Sequence, residues 1–437
     1  MPSEAGLNEL DATEILRRAA RGEITAEAVT RACLARCEQR EKAVHAWAYL
    51  DPDRAIAEAR RRDRATQRGP LYGLAVAVKD TFDTADMPTA YGSPIYAGFR
   101  PAADAACVAT LRAAGAVVLG KTVTTEFAAP TPGPTRNPHQ LAHTPGGSSS
   151  GSAAAVADRM AILSLGSQTM GSLIRPAAYC GLVGFKPSYG TITRVGLKSQ
   201  AESIDAIGIM ARSIDDAALF AAVLADRPAA PWSGTLARPP RIGVYRGPDW
   251  SKAEAPAVAV LDDTIGRLRR GGAELFEIEP PALLRQAYDA QLVIVFFEMS
   301  RGMTFEWFNH RDKLSPALAA LVEQGFGYSA ADYEAAEKTV VAARQAMAHA
   351  FAEADAWLTL SAPGEAPAGL EITGDTVFNR LWSVLHMPAI TVPIARGPNG
   401  LPLGVQLVGP VRGDGTLLSV ARWLHKTVAP QPQRPPA

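Results

Sequence analysis

Between Gly146 and Gly190 the chain concentrates small and hydroxyl-bearing residues. Gly146-Gly147-Ser148-Ser149-Ser150-Gly151-Ser152 opens the stretch. Gly166-Ser-Gln-Thr-Met-Gly171-Ser172 follows, and Arg175-Pro-Ala-Ala-Tyr-Cys180-Gly-Leu-Val-Gly184-Phe-Lys186-Pro-Ser-Tyr-Gly190 closes it. Packing alone does not call for so many hydroxyls in two loops. Glycines free backbone amides to converge on an anion, and neighbouring hydroxyls can relay protons. The stretch offers serine nucleophiles, but His310, His349, His386 and His425 all lie downstream in contexts that suggest no catalytic partner. A serine enzyme without histidine needs another base, and lysine is one that serves.

Two short motifs compete with this reading. Gly115-Ala-Val-Val-Leu-Gly120-Lys121-Thr122 fits a phosphate-binding loop pattern. Such a loop must turn its middle amides toward the ligand, whereas Ala-Val-Val-Leu favours a strand. The segment therefore reads as a helix-stopping glycine, a buried strand and a turn. Gly147-Ser148-Ser149-Ser150-Gly151 fits a nucleophile elbow, which needs a strand before it. Pro145 and Gly146 stand there instead. No HExxH and no Cys/His cluster is present, so neither a metal nor any other cofactor is expected.

Taken whole, the stretch closely resembles the amidase signature family, whose pattern runs GGSSxGS, then a glycine-rich loop ending GGS, then PAxxCGxxGxKPxxG. The resemblance extends to Leu74–Phe82 as a lysine-bearing strand, to Gly120–Phe127 as GKTxxxEF, and to Pro388–Gly409 as C-terminal strands. It implies a Ser–cis-Ser–Lys triad: Ser172 as nucleophile, Ser148 as bridge behind a cis Gly147–Ser148 peptide, and Lys79 as base. It implies an acyl-enzyme on Ser172, with the amides of Thr169, Met170, Gly171 and Ser172 as oxyanion hole. Lys79 must then be neutral, about 3 units below the ~10.4 of a free lysine. Burial at the end of an apolar strand supplies the right sign.

Two departures from the family pattern stand out. The second loop usually reads GTDTGGS, so Gln168 removes a carboxylate, and Met170 places a side chain beside the oxyanion hole, narrowing the acyl pocket. Arg175 stands three residues after the nucleophile rather than two, as in a malonamidase-like branch where that arginine holds a substrate carboxylate. With no acid at 168, Arg175 is free for an acidic or carbonyl group of a substrate, or else is satisfied by another carboxylate. The implied activity is cleavage of a small-molecule amide. A carbamate or ester hydrolase with the same triad is the alternative. The amidase subunit of a tRNA-dependent amidotransferase is a further one, against which Gln168 and Met170 speak.

These residues need a scaffold. The chain has 437 residues, 47% of them hydrophobic, enough for a large core. Lys+Arg and Asp+Glu number 44 each, so the net charge is zero, which argues against a nucleic-acid-coating or polybasic membrane-binding role. Four cysteines without a CxxC suggest a reduced, cytoplasmic setting. The acidic start, Met1 to Glu14, lacks the apolar core of a signal peptide, and no apolar run reaches a membrane span.

Helices are expected over the first sixty residues, with an Asp11/Glu14 capping box and Thr25 as N-cap. Leu74–Val78 reads as a strand buried on both faces, Ala105–Ala114 as a helix and Ala116–Leu119 as the next strand, an alternation that suggests a mixed α/β sheet. Gly166–Ser172 reads as loop, Asp226–Pro240 as linker, and Pro256 opens a helix running to about Arg270. Residues 281–353 are helical by periodicity and rich in aromatics. Family members place that segment at one wall of the substrate funnel, where it could accept aryl or extended apolar substrates. Strands return at Ala356–Leu360, Ala389–Pro393 and Leu403–Gly409, before a closing helix, Leu417–His425.

The resemblance turns this into one α/β domain over 1–437, a single large domain with a central mixed β-sheet covered by helices on both faces. Its segments are N-terminal helices (1–64), a catalytic core (65–225), a linker and helix-rich substrate side (226–354), returning strands and helix (355–428) and a disordered tail (429–437). A homodimer is the expected assembly.

Overall fold

The computed structural model describes residues 6–228, 232–430 and 433–436. Its helices are α1 (Ala12–Ala20), α2 (Ala26–Val44), α3 (Pro52–Arg64), α4 (Ala106–Ala113), α5 (Ser150–Ala157), α6 (Ile174–Tyr179), α7 (Ile214–Leu224), α8 (Ala255–Arg270), α9 (Ala282–Gly302), α10 (Thr304–His310), α11 (Pro316–Gly327), α12 (Ala330–Ala350), α13 (Arg380–Val384) and α14 (Asp414–Val428). Its strands are β1 (Trp47–Leu50), β2 (Ala75–Lys79), β3 (Val117–Thr122), β4 (Leu163–Gln168), β5 (Val183–Lys186), β6 (Ala206–Ala211), β7 (Arg241–Val244), β8 (Glu274–Glu277), β9 (Ala356–Leu360), β10 (Ala389–Arg396) and β11 (Pro402–Val408).

Among the described residues these strands form one eleven-stranded sheet in the order β1-β3-β2-β4-β6-β5-β10-β11-β9-β7-β8. β2 runs parallel to β3 and β4, and β7 parallel to β8 and β9, while the remaining pairs are antiparallel. The sheet is therefore mixed. All five residues of β2 and all six of β4 are buried. Side chains alternate across a strand, so unbroken burial means both faces are covered. α7, α8 and α14 pack together over β5, β6, β9, β10 and β11, while α5 and α6 touch each other and sit on β2–β5, β10 and β11. The segment expected to be helical folds as α9–α12 around a second apolar cluster of its own. No helix among the described residues is long and apolar enough to cross a membrane.

Local chemistry explains the well-placed ends. Thr25 accepts from the Ala28 amide at 3.1 Å to cap α2, and Pro256 stands in the first turn of α8. Two expectations need correction. The α1 N-terminus is capped not by its own Asp11 and Glu14 but by Asp216 of α7, whose carboxylate takes the Ala12 and Thr13 amides at 2.9 Å each; Glu14 is held by Arg17 and Arg18. Gly166, Ser167 and Gln168 belong to β4, so the second loop begins only at Thr169. Beyond the Asp226–Pro240 stretch read as linker, β7 joins the same sheet through β9; residues 229–231 lie outside the described set. Of the expected disordered tail, 431, 432 and 437 also lie outside it, whereas the Arg434 carbonyl accepts from Arg396 and its guanidinium lies 3.6 Å from Glu9.

Candidate active site

β2 and β4 are parallel neighbours with Val78 paired to Leu165, so their C-terminal ends emerge together. Lys79 is the last residue of β2, and Ser167 is next to last in β4. Parallel sheets commonly present chemistry at such carboxyl ends. The chain leaves β4 through Thr169, Met170, Gly171 and Ser172 and enters α6, so these amides lie in neither strand nor helix. The other loop arrives from Gly146 and Gly147 and starts α5 at Ser150. The Gly147–Ser148 peptide is cis, as the resemblance implied. Every residue of α5 is small and buried. A Cβ on Gly151 would lie 2.2 Å from the Ala46 carbonyl oxygen, so only glycine lets this helix approach so closely.

Lys79 is fully buried and donates to Ser148 Oγ at 2.7 Å and to Ser167 Oγ at 2.9 Å. Burial pulls its pKa down to about 7, against an opposing push from the Asp205 charge. The two loops are stitched by the Ser149 amide, which donates to the Ser172 carbonyl at 3.2 Å, and the segment after β3 holds the first of them through the Thr125 amide, which donates to the Ser148 carbonyl at 3.3 Å. Ser148 and Ser172 both line a cavity of about 420 Å³. Met170 faces it from the turn, Phe296 and Met299 from α9, and Leu321 from α11, with Arg175 and the 372–376 loop on the polar side. Of the expected aromatic wall Phe296 reaches this cavity. Phe297 stacks on Tyr333, and Trp307 and Phe308 pack against Phe326.

The family-departing residues occupy defined places. Gln168 is fully buried: its Oε1 accepts from the amides of Leu173 and Ile174 at 3.1 and 3.0 Å, and its Nε2 donates to Ser383 Oγ at 3.0 Å. It thereby caps the start of α6 and holds the exit of the Ser172 turn. Gly171 is pressed by α13: a Cβ there would meet Asn379 Oδ1 at 2.9 Å. Arg175 Nη2 donates to the Gly147 carbonyl at 2.7 Å and to Thr373 Oγ1 at 3.0 Å. Its Nε and Nη1 are buried without a hydrogen-bond partner, and it forms no ion pair among the described residues.

The competing motifs dissolve. Lys121 lies in β3 and pairs with Asp80 at 2.8 Å, so it belongs to a buried ion pair rather than a phosphate cradle. Ser149, the centre of the elbow pattern, follows no strand and points its Oγ at the Ser167 carbonyl, 3.3 Å away. Sequence reasoning missed Ser167 and Asp205. Ser167 could have been found by extending β4 to Gln168, which sets it beside the end of β2. Nothing local marks Asp205, which reaches Thr169 only through the pairing of β6 with β4.

The Amidase family model matches residues 28–418. A glutamyl-tRNA(Gln) amidotransferase subunit of Koribacter versatilis is 32% identical over 96% of this chain and 98% of its own length. Its counterpart in Acidothermus cellulolyticus is 35% identical over 95% and 93%. Among solved structures, a chain of a vestigial protein complex tied to the origins of an s-triazine catabolic enzyme superposes with a TM-score of 0.88 at 28% identity, covering 98% of this chain and all of that one. The peptide amidase of Stenotrophomonas maltophilia superposes with a TM-score of 0.80 at 28% identity, covering 98% and 99%. A family match of this extent, on relatives that align nearly end to end, makes the chain a member of the amidase signature family and an amide-hydrolysing enzyme.

Proposed function

We propose that the chain is a serine amidase acting on a small molecule, with Ser172 as nucleophile, Ser148 as proton bridge and Lys79 as base. The observation that carries this reading is the fully buried Lys79 amine, 2.7 Å from Ser148 Oγ. As Ser172 Oγ attacks the amide carbonyl, its proton passes to Ser148 while the Ser148 proton passes to Lys79. The amides of the 169–172 turn meet the oxyanion. When the C–N bond breaks, the proton returns along the same path to the leaving nitrogen, which departs as ammonia or an amine. Water then attacks the Ser172 ester and releases the carboxylic acid, restoring both serines. Ser167 takes an N–H of the amine and so holds its nitrogen within reach of Ser148.

The cavity suits a substrate with an apolar part against Met170, Phe296, Met299 and Leu321 and a polar group near Arg175. The two unpartnered guanidinium donors favour a carboxylate or carbonyl there. The triad does not itself separate amides from carbamates or esters. A second reading, an amidotransferase subunit working in a complex, draws on the amidotransferase subunits among its relatives. Against it stand Gln168 at the end of β4 and Met170 in the turn.

The test is the purified chain alone, assayed on primary amides, anilides, carbamates and esters beside Ser172→Ala. Amine or ammonia release by wild type, reduced about 10⁴-fold or more in the variant, is expected. Release that survives in Ser172→Ala contradicts the nucleophile, and release that needs added proteins favours the second reading.

A further inference from the structure

β6 pairs antiparallel with β4 so that Ala206 lies opposite Gln168. That register sets Asp205, the residue before β6, beside Thr169, the residue after β4. Thr169 Oγ1 donates to Asp205 Oδ1 at 2.5 Å, while Oδ2 accepts from Ser199 Oγ and the Gln200 amide at 2.7 Å each and the Ala201 amide at 3.3 Å. The carboxylate is 3% exposed, and all these donors are neutral. Hydrogen bonds hold the charge in place without cancelling it, and in a water-poor interior its field reaches its neighbours.

We propose that Asp205 is a positioning residue for the reaction: through the Thr169 hydroxyl it fixes the turn that carries Ser172, and its negative charge acts on Lys79. This inference rests on the proposed triad. Of the other charges flanking the site, Asp80 is paired and Arg175 is not. Asp80, next in the chain, pairs with Lys121 of β3 at 2.8 Å, and Arg175 of α6 is bonded to the Gly147 carbonyl. β4 supplies only the Ser167 hydroxyl, and the loop before α5 only that of Ser148. Among the described residues Asp205 is the charge that pushes Lys79 upward against burial. The two effects oppose each other, leaving an amine that is about half neutral near pH 7 and still basic enough to take the Ser148 proton. One carboxylate therefore links the geometry of the oxyanion turn to the strength of the base.

The experiment is the pH dependence of kcat/KM, with kcat and KM measured separately, for wild type, Asp205→Asn, Thr169→Val and Thr169→Ser. Activity requires neutral Lys79, so wild type rises with pH through an acid limb near 7. Asp205→Asn removes the opposing charge and should move that limb down by roughly half a unit to one unit. A merely structural loss that let water reach Lys79 would move it up. Thr169→Val keeps the charge but loses the clamp: kcat should fall about tenfold with KM and the limb unmoved, and Thr169→Ser should restore kcat. An acid limb that stays or rises in Asp205→Asn overturns the proposal, as does a Thr169→Val enzyme with wild-type kcat. If Asp205→Asn does not fold, equal kcat in the two Thr169 variants overturns it alone. A wild-type profile with no limb near 7 removes Lys79 as base, and the triad falls with this inference.

Discussion

Lys79 carries two opposed demands. Catalysis wants it neutral, and neutrality comes from taking an amine out of water. With a folded pKa of about 7 against the ordinary 10.5 of a lysine, folding is penalised wherever the unfolded chain would hold the proton more tightly. The penalty is absent above about 10.5, grows as the pH falls through that window, and is complete below about 7, where it is on the order of 5 kcal/mol. Lys79→Met should therefore be inactive yet melt higher than wild type at pH 7, with the gap closing as the pH approaches 10. Thermal melts across that range check this, and a variant less stable than wild type at pH 7 would contradict it. The lysine itself was singled out by the resemblance, which matched it to the end of an apolar run. Its second partner, Ser167, was not, because Gly166 made the end of β4 look like loop.

Two caps separate catalysis from stability at the scale of elements. Gln168 satisfies two amides at the start of α6, directly behind Ser172, whereas Asp216 satisfies two at the start of α1, on an element that gives no residue to the cavity. Each replacement by alanine strands buried donors, at a cost of about 1–3 kcal/mol. The prediction is a split: Gln168→Ala loses stability and about tenfold in kcat, while Asp216→Ala loses comparable stability and keeps its kcat. Chemical denaturation and steady-state kinetics on both decide it; equal kcat in the two variants would remove Gln168 from the working geometry.

The same pair shows what sequence can and cannot reveal. Thr25 and Pro256 mark helix starts through contacts within four residues, so both were readable. Asp216 caps a helix some two hundred residues away, and only the packing of α7 on α1 brings them together. β8, with exposed Glu274 and Glu277 at its ends, offered no apolar run to detect. The two serine loops were singled out by resemblance, not by periodicity.

The whole molecule is a sheet that fixes the chemistry and a helical layer that closes over it. Lys79, Ser148 and Ser172 come from β2 and the two loops, whereas Phe296, Met299 and Leu321 reach the cavity from α9 and α11. Glu298 of α9 pins that layer, taking the Ser203 amide at 2.9 Å and the Tyr333 hydroxyl at 2.8 Å. Loosening the pin should disturb the wall and spare the triad. Glu298→Ala is expected to raise KM several-fold for substrates with a large apolar group and to change kcat less than about twofold, as steady-state kinetics on long and short acyl amides would show. A fall in kcat at unchanged KM would mean that the wall also orders the catalytic turn. Strand order was beyond sequence reasoning, since eleven short strands permit many arrangements and only long-range pairing selects one.

The proposed mechanism turns on a neutral, buried lysine arming one particular serine. The decisive measurement is the rate at which a fluorophosphonate labels the enzyme as a function of pH, with the labelled residue identified by peptide mass spectrometry. A single adduct on Ser172 is expected, with a labelling rate that rises with a midpoint near pH 7 and is lost in Lys79→Met. An adduct on another residue, a midpoint near the 10.5 of an ordinary lysine, or undiminished labelling in Lys79→Met would rule that chemistry out.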